Sequence, residues 1–281
     1  MTLSPYENIS EKHSPLGFVA SGKAPSLEKM PGHWVLASAG KRVLRTGGIE
    51  LTRRMLDALA IGSQERVVEF APGLGATARL VLERRPSAYC AVERDPAAAG
   101  RLRHQLAGTV AEIVLGEAQK SGLPDRSATA VYGEAMLSMQ SLEQKRRIFA
   151  EARRLLTPGG RYGIHELCFL PDDIPAALRH EIQAEMSKEI HVGVQPLSRN
   201  EWISLFQENG MTVTWSAEAP MHLLEPWRML ADEGFSGGVR IAFNMMTQPV
   251  LRSRILAMRR LFRKYKQTLG AIAMVGTLEK A

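Results

Sequence analysis

An α/β fold, with a doubly wound, mostly parallel sheet of seven strands and helical cap insertions, is what this 281-residue sequence predicts. Three observations lead to it. From residue 48 onward short apolar runs alternate with amphipathic helical patterns, as in successive βαβ units. Serine, aspartate, proline and glycine fall at the joints, where helices start and stop. One joint, residues 67–78, is an apolar strand closed by an acid, then a glycine-containing turn that opens a helix. With 45% hydrophobic and 23% charged residues, the composition is that of a globular chain with one α/β core and substantial additions.

Residues 1–47 are rich in Ser, Pro, Gly and Lys and read as an irregular arm or lid, with one notable cluster, Pro31-Gly32-His33-Trp34-Val35-Leu36. A helix begins at Gly48, its residues Ile49, Leu51, Met55, Leu56 and Leu59 falling near a 3.6-residue period. Strands are expected at 67–70, 89–93, 111–115, 129–133 and 161–167. Between them Asp95-Pro96 offers an N-cap followed by proline at the first helical position. Ser141 with Gln144 forms a capping box for a helix ending at Pro158-Gly159-Gly160. Ser198 with Glu201 opens another, which stops at Gly210 before a strand at 211–217. Residues 224–266 read as a helical insertion ahead of the last strand, 269–275. The chain thus divides into the arm 1–47, a core over 48–170, and a segment 171–281 that adds the cap and the last strands to the same domain.

The net charge of +7 is concentrated near the C-terminus, where residues 250–281 hold eight Arg or Lys against one acid, Glu279. A localised basic helix suggests an acidic partner or, more plainly, a solvated face. Cys90 and Cys168 lie in apolar strand-like runs without a CxxC partner, as expected of buried thiols in a reducing cytoplasm. The N-terminus shows no signal-peptide pattern and no run approaches a membrane span, so a cytoplasmic location is expected.

The chemistry is concentrated in Val67-Val68-Glu69-Phe70-Ala71-Pro72-Gly73-Leu74-Gly75-Ala76-Thr77-Ala78. Glycines let the backbone approach a ligand closely, and the helix start offers unpaired N–H groups. Glu93 closes the second strand twenty residues after Gly73, where a doubly wound fold places an acid for ribose hydroxyls. The glycines alone also fit a nicotinamide-dependent oxidoreductase. Glu69 argues against it, since an acid beside a pyrophosphate repels, whereas beside a sulfonium and an α-amino group it attracts.

These residues resemble the first motif of the class I S-adenosylmethionine-dependent methyltransferases, with Ala71 in place of the usual first glycine. That exchange suits an ordinary backbone conformation at position 71. The resemblance continues through Tyr89-Cys90-Ala91-Val92-Glu93-Arg94-Asp95, Gly116-Glu117-Ala118, Leu123-Pro124-Asp125 and Leu156-Thr157-Pro158-Gly159-Gly160-Arg161, covering roughly residues 48–170 in the family's order. It implies a Rossmann-like methyltransferase sheet, S-adenosylmethionine as cofactor and S-adenosylhomocysteine as product. It further implies that Glu69 and the turn Ala71, Pro72, Gly73 and Gly75 hold the methionine moiety, that Glu93 with Arg94 meets the ribose, and that Gly116, Glu117 and Ala118 meet the adenine. Gly48 is expected to close the cofactor site from the arm.

For the acceptor side, His165 is a candidate base at the end of the fifth strand, with Glu166 or Glu134 orienting it. The Asn/Asp-Pro-Pro-aromatic run of enzymes that methylate base amines is missing after the fourth strand, which argues against nucleic acid. No metal is expected, because the histidines are dispersed. Met- and Phe-bearing segments at 168–197 and 224–266 suit a roof over a small, largely apolar acceptor. An RNA-directed methyltransferase using the basic 250–266 helix is the alternative.

Overall fold

The computed structural model describes residues 26–280. The sheet runs in the order β3 (Ala111–Leu115), β2 (Ala88–Glu93), β1 (Arg66–Phe70), β4 (Ala128–Glu134), β5 (Leu156–Phe169), β8 (Leu269–Leu278), β7 (Met211–Pro220). The pairs from β3 through β5 are parallel, whereas β8 is antiparallel to both β5 and β7. All seven expected strands are present. A two-residue strand, β6 (Leu197–Ser198), also pairs with the end of β5.

One face of the sheet is covered by α2 (Gly48–Ala58), α3 (Ala76–Leu82) and α4 (Pro96–Gln105), where Leu51, Met55, Val81 and Leu102 pack on Val67, Ala91, Tyr132 and Val275. The other carries α5 (Leu142–Leu155) and α7 (Arg199–Glu208), whose Phe149, Trp202 and Phe206 meet Phe70, Tyr162 and Met274. The helix starts are those the sequence marks. Asp95 accepts from Ala98 N, and both capping boxes, Ser141 with Gln144 and Ser198 with Glu201, are formed.

A separate apolar cluster lies beyond the ends of the strands. It joins α1 (Gly32–Ser38), α6 (Ala176–Ile190), α8 (Pro226–Thr247) and α9 (Pro249–Lys264). The arm is therefore not irregular throughout, because Val35 and Leu36 need a helical turn to bury together against the cap. Residues 1–25 of the arm lie outside the described residues. The arm is tied to α8 by buried charges: Lys41 Nζ lies 3.2 Å from Asp232, and Glu233 accepts from the N–H groups of Arg42 and Val43. A helix also ends earlier than expected, since α5 stops at Leu155 and residues 156–160 already belong to β5.

Candidate active site

The turn after β1 takes the backbone through Ala71 (φ +52°), Gly73 (φ +57°) and Gly75 (φ +72°), and α3 starts at Ala76. Ala71 is thus left-handed, contrary to the ordinary conformation expected of it. Ala71 N donates to Val92 O at 2.9 Å, which ties the turn to β2 although this region disfavours a Cβ. Gly73 faces open space: a Cβ there would find only Ala71 O, at 4.0 Å. At Gly75 a Cβ would meet Leu102 at 2.8 Å, so this glycine serves helix packing.

Glu69 is buried and accepts from the Tyr89 hydroxyl; burial pushes its carboxyl up to about 7. Such a group carries charge cheaply only beside a cation. Glu93 is buried at the end of β2, with Oε1 taken by Asp95 N at 3.0 Å and Oε2 without a protein partner among the described residues. Arg94 is exposed beside it. Gly116 N donates to Glu93 O, Glu117 is exposed and accepts from Gln119, and Ala118 is half-buried against the core. These placements fit a nucleoside held across the ends of β1, β2 and β3. Gly48 does not join them. Its φ is +59°, and a Cβ would run into Asp232 and Arg228 of α8, so its role is close packing beneath the cap.

Four segments meet at the end of β4. Glu134 accepts from Thr52 Oγ1 of α2 at 2.6 Å and Thr77 Oγ1 of α3 at 2.5 Å. It lies 3.0 Å from Arg45 Nε of the arm and 2.9 Å from His165 Nδ1 of β5. Burial alone would raise this carboxyl, but Arg45, His165 and Thr52 overcome it and hold it at about 2. Arg45 Nη2 is buried with no partner among the described residues.

The expected catalytic group separates here. His165 and Glu166 lie inside β5, which runs on to Phe169, though His165 stands level with Glu134 at the end of β4. His165, 1% exposed, has its Nε2 2.6 Å from Thr46 O as well as its Nδ1 on Glu134. With both nitrogens on acceptors, it is a brace and offers no free lone pair to a substrate. Glu166 faces the other side of the sheet, as the alternation of a strand demands. It accepts from Met136 N, Leu137 N, Ser138 N and Ser138 Oγ at 2.7–2.9 Å, so it holds the turn after β4 and does not orient His165.

Above this floor lies a cavity of about 100 Å³, walled by Leu36, Met186, Ile190, Met258 and Phe262 and reaching Arg45, Thr46, Ser138 and His165. His33 of α1 is its further imidazole; burial, then Arg94, push it down to about 4. Arg45, Thr52, Thr77 and His33 were not singled out as site residues from the sequence. The available signals were the cations just ahead of Gly47-Gly48 and a hydroxyl in the first turn after the glycine motif.

A family model described as a methyltransferase domain matches residues 68–164. An uncharacterized protein of Haemophilus influenzae is 31% identical over 219 residues, 76% of this chain and 85% of that protein. Among solved structures, a provisionally named sarcosine dimethylglycine methyltransferase of Galdieria sulphuraria superposes with a TM-score of 0.64 at 15% identity, covering 82% of this chain and 84% of the other. Phosphoethanolamine N-methyltransferase 2 of Haemonchus contortus, solved with phosphomonomethylethanolamine and S-adenosylhomocysteine, gives 0.68 at 12% identity over 89% of this chain and 57% of that one.

Proposed function

We propose, for a chain that belongs to the class I S-adenosylmethionine-dependent methyltransferases and uses that cofactor, that the methyl acceptor is a small, largely apolar molecule held beneath the cap. The observation that carries this is the cavity between the polar floor and the methionine- and isoleucine-lined roof. Its volume of about 100 Å³ favours a compact acceptor.

When bound, S-adenosylmethionine supplies an electrophilic methyl group on a sulfonium. Glu93 would hold its ribose hydroxyls, with Arg94 beside them. Residues 71–75 would hold its methionine portion next to the Glu69 carboxyl, and Gly116, Glu117 and Ala118 its adenine. The unpaired Nη2 of Arg45 is a donor suited to the cofactor's carboxylate. Glu134 and His165 keep Arg45, Thr52 and Thr77 in place, so this floor orients the reactants while the cap excludes water. His33, neutral above about pH 4, can accept a hydrogen bond from a protonated acceptor group.

Calorimetry with S-adenosylhomocysteine, followed by transfer of labelled methyl to a pool of small metabolites, tests the reading. We expect binding that Glu93→Ala weakens by about 1–3 kcal/mol, and label in an organic-extractable product. Unchanged affinity in a folded Glu93→Ala protein would remove Glu93 from the site. Label appearing only in RNA would refute the small acceptor.

A further inference from the structure

The outer face of the α8–α9 hairpin is not explained by methyl transfer. At Gly234 (φ +71°, ψ 176°) α8 kinks, and beyond it Phe235, Val239, Phe243 and Met246 recur every three or four residues on one side of the helix. They are exposed, Phe235 by 80% and Met246 by 76%. Val250 and Leu256 extend the stripe onto α9. Helix α9 buries its opposite side, where Met258 and Phe262 wall the cavity.

Beyond Gly234 the charge on this hairpin is of one sign. Between Glu233 and Glu279 the sequence contains no acid and eight Arg or Lys. Several are used internally: Arg254 caps backbone carbonyls including Met30 O, Arg259 and Arg263 pair with Glu225, and Lys264 pairs with Glu181 and Glu185. Arg240, Arg252 and Arg260 are exposed and have no acidic partner among the described residues. Large exposed apolar side chains flanked by unpaired cations, with no anion between them, match the boundary between headgroups and acyl chains of an anionic bilayer. A second copy of the chain is a poor occupant, because a two-fold interface would set this acid-free face against itself.

We propose that the outer face of α8–α9 docks the protein on an anionic lipid surface. Phe235, Phe243 and Met246 enter the acyl boundary while Arg240, Arg252 and Arg260 meet the headgroups. No residue of the polar floor takes part, so the proposal stands whether or not the acceptor reading holds.

The test is co-sedimentation of the full chain with vesicles of phosphatidylcholine alone or of phosphatidylcholine and phosphatidylglycerol in equal parts. We expect binding to the mixed vesicles only, reversed by high salt. Phe243→Glu with Met246→Glu, and separately Arg252→Glu with Arg260→Glu, should each lower the bound fraction about tenfold or more. Both pairs are exposed, so circular dichroism should show unchanged melting. Wild-type protein left in the supernatant, equal binding to both vesicles, or variants that sediment like wild type would overturn the proposal. So would a face that retains RNA but not vesicles, or a dimer abolished by Phe243→Glu in a protein that ignores lipid.

Discussion

At the end of β4 one carboxylate, Glu134, is gripped by a guanidinium, an imidazole and two hydroxyls from four other segments, each within 3.0 Å. Across the cavity, Met186, Ile190, Met258 and Phe262 have no directional bonds and touch whatever lies beneath them. The floor is therefore determinate, because moving one member strands the charges of the others. The roof is adaptable, because methionine refills space at little cost. In a transfer reaction that depends on position, the floor suits the invariant reactant and the roof the variable one.

The contrast is broken most severely at Glu134. Glu134→Ala leaves Arg45 buried without its counterion and should cost about 3–5 kcal/mol in urea unfolding. In the wild type this carboxylate is held at about 2 against an ordinary 4.5, so its stabilising effect is present above pH 4.5 and fades as the pH falls toward 2. A loss under about 1 kcal/mol would show that the floor is not a coupled unit.

Glu69→Gln should act in the opposite sense. Burial pushes Glu69 up to about 7, so its favourable contribution is present below pH 4.5 and is lost as the pH rises through 7. The glutamine variant should match wild type at pH 4 and exceed it by ~1–3 kcal/mol at pH 8. It should also gain less than wild type from added S-adenosylmethionine, whose cation relieves the buried charge. Thermal melts at the two pH values, with and without cofactor, check both statements; a pH-independent difference would dissociate Glu69's charge from the effect.

The roof sets the lower bound. Met258→Leu should cost less than ~1.5 kcal/mol and leave S-adenosylhomocysteine affinity unchanged, while shifting relative turnover among acceptors of different size. Unaltered preference would move the acceptor away from α9.

The floor and roof were unequally legible in the sequence. Strand periodicity and the three capping signals predict the sheet and the helix starts because they depend on neighbours a few residues away. The Glu134 cluster unites residues 45, 52, 77, 134 and 165, and no local pattern brings an arginine of the arm to the end of β4. Ala71 misled because its conformation is imposed by the turn's attachment to β2 and not by the residue's own preference. Gly48 looked like a cofactor contact for want of any view of α8, which fills the space beside it. His165 and Glu166 suggest one unit because they are neighbours in sequence, although a strand sends consecutive side chains to opposite faces.

That last feature also guards the assembly of the sheet. In the native pairing His165 stands opposite Glu134, and Glu166 turns away to four hydrogen-bond donors. If β5 slid by one residue in one direction, Glu166 would come opposite Glu134, two carboxylates beside each other in a dry interior, and Leu167 would replace the acceptor that gathers the N–H groups of 136–138; slid the other way, Ile164 would come opposite Glu134 and His165 would take that acceptor's place. The adjacent histidine and glutamate thus act as an error check on strand alignment, rejecting the slipped sheet by charge and lost hydrogen bonds where an uncharged row such as residues 271–275 of β8 would pass it.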